Sequence, residues 1–167
     1  VMLVDEHGFI DCNKATLAMF GCATKEAFCS MHPADISPPV QPDGGDSRAL
    51  ADRNNATAME NGRHFFEWVC KRTDNGNTFI TNVLLNRMEL DGKAVLQATV
   101  RDITARKAAD IERRRNEERL RQLVEHTPAA IALFDRELRY VAVSRRFALD
   151  YKIDPDAIIG RAHYDVF

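Results

Sequence analysis

Long apolar runs are absent from this sequence of 167 residues. No stretch approaches the roughly 18 residues that a membrane-spanning helix needs, and no signal peptide is visible. We therefore predict no membrane contact. The chain begins at Val1, and its first residues already read as a strand, so we expect it to be a fragment of a longer protein.

An excess of charge of one sign is also lacking. The 23 basic and 25 acidic residues leave a formal net charge of −2. Nucleic-acid binding needs clustered positive charge, so the composition argues against a nucleic-acid partner. The apolar content of 45% is enough to build a core, and the length fits one domain or one and a part.

Sequence motifs for catalysis and metal binding are missing as well. The cysteines at positions 12, 22, 29 and 70 form no CxxC pair, and no histidine lies at zinc-finger spacing. We interpret them as free thiols of a reducing cytosol, which predicts a cytoplasmic location. There is no phosphate-binding loop and no G-x-S-x-G sequence. We predict no catalytic residue, no metal site and no enzymatic activity for this chain.

Strand and helix signals follow one another in a definite order. Two short strands at 2–4 and 9–12 form a hairpin around the turn Asp5-Glu6-His7-Gly8. Three helices come next, at 14–20, 25–28 and 48–61, with a proline-rich loop at 32–47. The predicted N-caps of these helices are Asn13, Thr24 and Ser47.

Three longer strands complete the domain, in the runs 64–72, 78–90 and 93–103. The turn signals Asp74-Asn75-Gly76 and Asp91-Gly92 separate them, so they form an antiparallel meander. With the first hairpin they predict an α+β fold, a five-stranded antiparallel sheet with helices on one face. Alternation places one apolar set inward, as the candidate pocket lining: Phe66, Trp68, Val83, Leu85, Leu96, Ala98 and Val100.

A long polar helix without Gly or Pro is predicted from Ala105 to about Glu125. Opposite charges four residues apart, such as Arg113 and Glu117, support it. Its heptad pattern is apolar near the end, at Leu120 and Leu123, but poor in the middle. The helix is therefore either a solvated spacer or a segment that pairs in a homodimer.

The sequence then repeats its opening pattern. Ile131 to Phe134 corresponds to the first strand, Tyr140-Val141 to the second, and Ser144 to the cap Asn13. We predict three segments: a domain at 1–104, a helical linker at 105–126, and the truncated start of a second copy at 127–167.

Residues 1–104 resemble a PAS domain with its C-terminal PAC motif, and residues 127–167 resemble the opening of another PAS domain. The residues that carry the resemblance are Asp5, Gly8-Phe9-Ile10, Asn13, Phe66-Glu67-Trp68, Asp74-Asn75-Gly76 and Arg101-Asp102-Ile103-Thr104, then TPAAIALFDRELRYVAVSRRF and IIGRAHYDVF. The resemblance implies a sensory module of a bacterial signalling protein that forms dimers. It implies an output domain that is a histidine kinase of a two-component system or a GGDEF diguanylate cyclase.

The resemblance also implies a signal junction at Asp102, Ile103 and Thr104, where the last strand meets the long helix. Asp102 or Thr104 is expected to cap that helix, since each has an oxygen that can accept a backbone N–H. Without a glycine here, a distortion of the sheet is transmitted to the helix.

No cofactor is assigned from the sequence. Haem is disfavoured because the family's histidine position on the long helix is empty in residues 48–61, which leaves only His32 and His64 as candidates. A flavin photosensor is disfavoured because its cysteine signature is missing and Val100 replaces its glutamine; redox flavin binding stays open. Two hypotheses remain: the core binds a small-molecule ligand, or its own side chains fill it and the module only dimerises and relays strain.

Overall fold

The computed structural model describes residues 1–5 and 8–166. The chain divides into two compact units, Val1–Lys107 and Ala108–Phe167. The elements of the first unit are β1 (Met2–Val4), β2 (Phe9–Cys12), α1 (Lys14–Phe20), α2 (Lys25–Cys29), α3 (Ser47–Asn61), β3 (Arg63–Lys71), β4 (Thr78–Leu90) and β5 (Lys93–Asp102). Helix α4 (Thr104–Glu125) begins in the first unit and continues into the second.

The first unit is built on one five-stranded antiparallel sheet in the order β2-β1-β5-β4-β3. The register aligns Phe66, Val83 and Val100 across β3, β4 and β5, so inward residues stack in rows. Helix α3 packs against these three strands. The predicted α+β fold, with an antiparallel five-stranded sheet and helices on one face, is confirmed.

Turn and cap residues explain where the elements end. Asn13 and Thr24 cap α1 and α2 as predicted, because their side chains accept the N–H of Thr16 and Ala27. The two-residue turn Asp91-Gly92 has positive φ at both positions, 50° and 75°, which suits a tight hairpin. In the predicted first turn, Glu6 and His7 lie outside the described residues.

The predicted cap of α3 is wrong. Asp46, one residue earlier, caps the helix, and its Oδ1 accepts the N–H of Ala49 at 2.9 Å. Ser47 is instead the first helical residue and is 2% exposed. Its hydroxyl donates to the carbonyl of Pro38 and accepts from the Gln41 side-chain amide. The serine therefore holds the proline-rich loop to the helix, which a capping role would prevent.

The second unit contains a hairpin of β6 (Ala132–Phe134) and β7 (Tyr140–Val143), followed by α5 (Arg145–Tyr151), α6 (Pro155–Ile158) and a 3-10 turn at His163–Asp165. Ser144 caps α5 by accepting the N–H of Phe147, as Asn13 caps α1. The order of strand, strand and capped helix thus repeats. Within the described residues, no helix is long and apolar enough to cross a membrane.

Candidate functional site

An apolar cavity of about 60 Å³ lies in the first unit, between the sheet and the segments that cover it. Its walls come from all five strands, from α1 and α3, and from the proline-rich loop. The lining residues are Met2, Val4, Phe9, Phe20, Pro33, Ile36, Ser37, Ala51, Asn55, Phe66, Trp68, Cys70, Val83, Leu85, Ala98 and Val100. Alternation along each strand places these side chains inward.

Six of the seven residues named from the sequence lie in this lining. The seventh, Leu96, is 1% exposed and belongs to the surrounding core, but it does not line the cavity. The sequence reasoning missed the strand residues Met2, Val4, Phe9 and Cys70. It also missed the opposite wall, which includes Ile36, Ser37 and Asn55. Asn55 lies on a polar helix and the other two lie in the loop, so no apolar periodicity marked them.

Polar groups in the cavity wall are already engaged with one another. The indole N–H of Trp68 donates to Ser37 Oγ at 2.9 Å, and Ser37 Oγ donates to the Pro33 carbonyl at 2.8 Å. This chain of hydrogen bonds ties β3 to the proline-rich loop. It leaves the half-buried Asn55 as the polar side chain of the lining without such a bond among the described residues. The site thus offers an apolar space with one amide.

The Cys70 thiol faces the same cavity but is not poised as a nucleophile. Burial raises the pKa of this thiol to about 12, and the Thr81 hydroxyl lies 3.5 Å from its sulfur. A thiol, unlike a thiolate, is a weak nucleophile and a weak metal ligand. Cys70 therefore contributes apolar wall rather than chemistry.

The two histidines considered for haem do not line the cavity. His32 Nε2 lies 3.2 Å from a carboxylate oxygen of Asp52, and its Nδ1 accepts the N–H of Ala34. His64 stacks on Phe66 with ring centroids 5.2 Å apart, and its Nε2 lies 3.2 Å from Asn54 Oδ1. Both rings are thus engaged with residues outside the cavity lining, so neither is placed to bind a ligand in the cavity.

The junction between β5 and α4 is fastened to β4 at one residue, Ile80. The backbone N–H of Ile103 donates to the Ile80 carbonyl at 2.9 Å. The Ile80 N–H donates in turn to Thr104 Oγ1 at 2.9 Å. Asp102 Oδ1 accepts the N–H of Thr104 at 2.8 Å, and Ile103 is 8% exposed. These three hydrogen bonds and the buried Ile103 side chain fix the position of the junction.

This geometry corrects the expected roles of the two polar residues. The helix begins at Thr104, so the N-cap position belongs to Ile103, and neither Asp102 nor Thr104 occupies it. Asp102 still accepts an N–H of the first turn, as a cap would. The Thr104 hydroxyl does not cap its own helix. Its oxygen accepts the backbone N–H of Ile80 on β4 instead.

A second attachment joins α4 to β3. Lys107 Nζ lies 2.7 Å from Glu67 Oε2, with both side chains about half exposed. Asn82 lies opposite Glu67 and Arg101 in the ladder, and its buried Oδ1 has no hydrogen-bond partner among the described residues.

The cavity and the junction share the same three strands. On β3, Glu67 lies between the lining residues Phe66 and Trp68; β4 places Ile80 three residues before Val83. β5 ends at Asp102, two residues after the lining residue Val100. Three of the five strands that line the cavity therefore also hold the first turn of α4.

Comparison with known protein families identifies both units. A family model described as PAS domain matches residues 1–105, well over half of the chain. A second model, described as PAS fold, matches residues 124–167. The chain belongs to the PAS domain family and is a PAS sensory module. No curated protein matches the chain.

Solved structures agree on the fold. A PAS domain from Colwellia psychrerythraea is 21% identical, with a TM-score of 0.50 over 63% of this chain and 85% of its own. One from Desulfitobacterium hafniense is 17% identical, with a TM-score of 0.50 over 60% of this chain and 89% of its own. A PAS domain from a two-component sensor histidine kinase is 20% identical, with a TM-score of 0.48 over 60% and 81%. At these identities the likeness to the Colwellia psychrerythraea and Desulfitobacterium hafniense domains shows the fold alone.

Proposed function

We propose that this PAS module senses a small molecule in its core cavity and passes the change through α4 to an output domain. The observation that carries the proposal is that β3, β4 and β5 each line the cavity and each bond the first turn of α4. A shift of Val83 or Val100 on ligand entry moves Ile80 or Asp102 within the same strand, and packed cores transmit such strain because they are dense.

The size of the cavity limits the ligand class. About 60 Å³ is less than half of the volume of an engineered apolar cavity of roughly 150 Å³ that binds benzene. Haem and flavin exceed that volume many times over. The lining therefore favours a ligand of a few heavy atoms, mostly apolar, with one polar group within reach of the Asn55 amide.

The output we propose is a C-terminal histidine kinase or GGDEF diguanylate cyclase of a bacterial signalling protein. The module itself is assigned no catalytic residue, in keeping with PAS domains as sensory rather than catalytic units. The proposed segments are a PAS domain at 1–104, a helical linker at 105–126 and the start of a second PAS domain at 127–167. The family matches to 1–105 and 124–167 support this division. A cytoplasmic location suits the four free cysteines.

A second candidate function is a ligand-free relay that only dimerises. The small volume favours it, because side chains of the core already fill most of the space. The two functions differ in what the purified protein carries. Native mass spectrometry of gently purified chain should show a bound small molecule if the module is a sensor.

The matched variants for this experiment are Ala98→Leu and Ala94→Leu. Both lie on β5, but Ala98 lines the cavity while Ala94 is exposed near the hairpin. We expect Ala98→Leu to fill the cavity and abolish the added mass, with Ala94→Leu unchanged. If the wild type carries no added mass and Trp68 fluorescence responds to none of a panel of small alcohols, ketones and acids, the relay function replaces the sensor.

A further inference from the structure

Strand β3 is one edge of the sheet, and its residues alternate between the inner ladder and the open edge. Hydrogen bonds from Arg87 N–H to Gly62 O, 2.8 Å, and from Arg72 N–H to Asn77 O, 2.9 Å, bracket the ladder with β4. Even-numbered residues of β3 therefore bond β4, because bonding alternates along an antiparallel strand. The backbone groups of odd-numbered residues face outward.

The C-terminal half of this edge, at Val69 and Lys71, is covered by the proline-rich loop. The Gln41 side-chain amide accepts the N–H of Val69 at 2.9 Å and donates to its carbonyl at 3.2 Å. The Ile36 carbonyl accepts the N–H of Lys71 at 2.8 Å. The glutamine amide thus replaces the peptide group of a neighbouring strand.

The N-terminal half of the edge, residues 63–67, has no such cover among the described residues. In the described part of the chain, the outward N–H and C=O groups of Arg63, Phe65 and Glu67 have no hydrogen-bond partner. All three side chains are exposed, and Phe65 is 58% exposed. An unpaired edge that carries an exposed aromatic side chain is a template for a further strand.

We propose that this edge pairs with a second copy of the chain, antiparallel and centred on Phe65. The segment is self-complementary in that register, because Arg63 of each copy then faces Glu67 of the other and Phe65 faces Phe65. Each of these residue pairs exchanges two backbone hydrogen bonds, because all three residues point outward. Opposite charges and aromatic pairs directly across an antiparallel pair stabilise it.

The charge pattern selects this occupant over an unrelated peptide. A strand of different sequence meets both Arg63 and Glu67 only by chance, whereas a second copy supplies both partners. Glu67 Oε2 also contacts Lys107, so pairing at the edge engages a residue that holds α4. The interface therefore bears on the same junction as the cavity, yet it depends neither on a ligand nor on pairing of α4.

Charge reversal tests the register directly. The full chain is used with Leu120→Glu and Leu123→Glu, which removes association through α4, so that failure of helix pairing leaves this test intact. In that background, sedimentation should show concentration-dependent dimers. Arg63→Glu or Glu67→Arg should each weaken dimerisation about tenfold or more, since like charges then face each other twice. An equimolar mixture of the two variants should restore it, because every facing pair is again opposite.

Lys93→Glu, on an exposed β5 position, is the control for net charge and should leave dimerisation unchanged. A background chain that stays monomeric at the highest soluble concentration overturns the proposal, as does a mixture no stronger than its components. Should a charge variant fail to fold by circular dichroism, Phe65→Ser replaces it. This variant removes only the central aromatic pair and must also weaken dimerisation; unchanged association overturns the proposal.

Discussion

At the residue scale, Thr104 makes a hydrogen bond whose loss should leave the domain folded. Its hydroxyl oxygen is the acceptor for the Ile80 N–H. Thr104→Ala leaves that half-buried N–H unpaired, which costs about 1–3 kcal/mol. A domain with roughly 5–15 kcal/mol of stability survives this loss. We expect Thr104→Ala to fold but to change how the output of the full-length parent responds to its stimulus, as measured by melting beside kinase or cyclase activity.

Thr104→Ser is the matched control, because it keeps the oxygen and should keep regulation. Asp102→Ala removes the acceptor of the Thr104 N–H and should behave like Thr104→Ala, at about 0.5–2 kcal/mol. Wild-type regulation in both alanine variants, or failure of both to fold, would show that the junction is not the transmission point.

Cys70 gives a prediction about pH. Its folded pKa of about 12 lies above the ordinary value of 9.0. The thiol's share of stability is therefore fully present below pH 9 and is lost as the pH rises toward 12, because only the unfolded chain ionises in that window. Above pH 9, the free energy of unfolding should fall by about 1.4 kcal/mol per pH unit more steeply in wild type than in Cys70→Ala. Denaturant titrations between those limits check this, and equal slopes would contradict it.

At the element scale, the first turn of α4 depends on the ion pair between Lys107 and Glu67. The pair is about half exposed, so it contributes at most about 1 kcal/mol to global stability. Lys107→Ala should leave the melting temperature nearly unchanged but speed amide hydrogen exchange at residues 104–108. Lys93→Ala, which removes an exposed lysine at the start of β5, is the control for the loss of a positive charge. Unchanged exchange would mean that the bonds to Ile80 alone hold the turn.

The strands and most helices follow from local sequence, because alternation and capping are local properties. β4, for example, begins and ends at the predicted residues, Thr78 and Leu90, and Ser144, predicted as the counterpart of Asn13, caps α5. The turns at Gly76 and Gly92 could be predicted from the sequence, because few residues other than glycine adopt positive φ.

The remaining features depend on contacts distant in sequence. The role of Ser47 is fixed by Pro38 and Gln41, and the bond of Thr104 is fixed by Ile80, 24 positions away. Ser37 reaches the cavity because Trp68, 31 positions later, needs an acceptor. No periodicity encodes such pairs, so only the sheet wall of the cavity, whose residues alternate, was predictable from the sequence.

At the scale of the whole molecule, α4 has the polar composition of a helix that is exposed to solvent in a single copy of the chain. The pair Arg113–Glu117, at 2.6 Å, stabilises it locally, as predicted from the sequence. Glu118 accepts from Gln122. Toward its end the apolar side chains of Leu120 and Leu123 are 59% and 61% exposed. Exposed leucines three residues apart form a short apolar seam of the kind that pairs helices.

We predict that this seam mediates parallel dimerisation in the intact parent, where complete domains hold two copies of α4 side by side. The heptad is too poor in its middle for α4 to pair strongly by itself, so the effect should require both domains. Sedimentation of a form with both domains complete should show a dimer, and Leu120→Glu with Leu123→Glu should weaken it to the association that the β3 edge supports alone. Arg113→Glu with Glu117→Arg, which keeps the intrahelical pair, is the control. A monomer at high micromolar concentration would contradict helix pairing, whereas a dimer that the two leucine substitutions leave unchanged would show that the β3 edge alone joins the two copies.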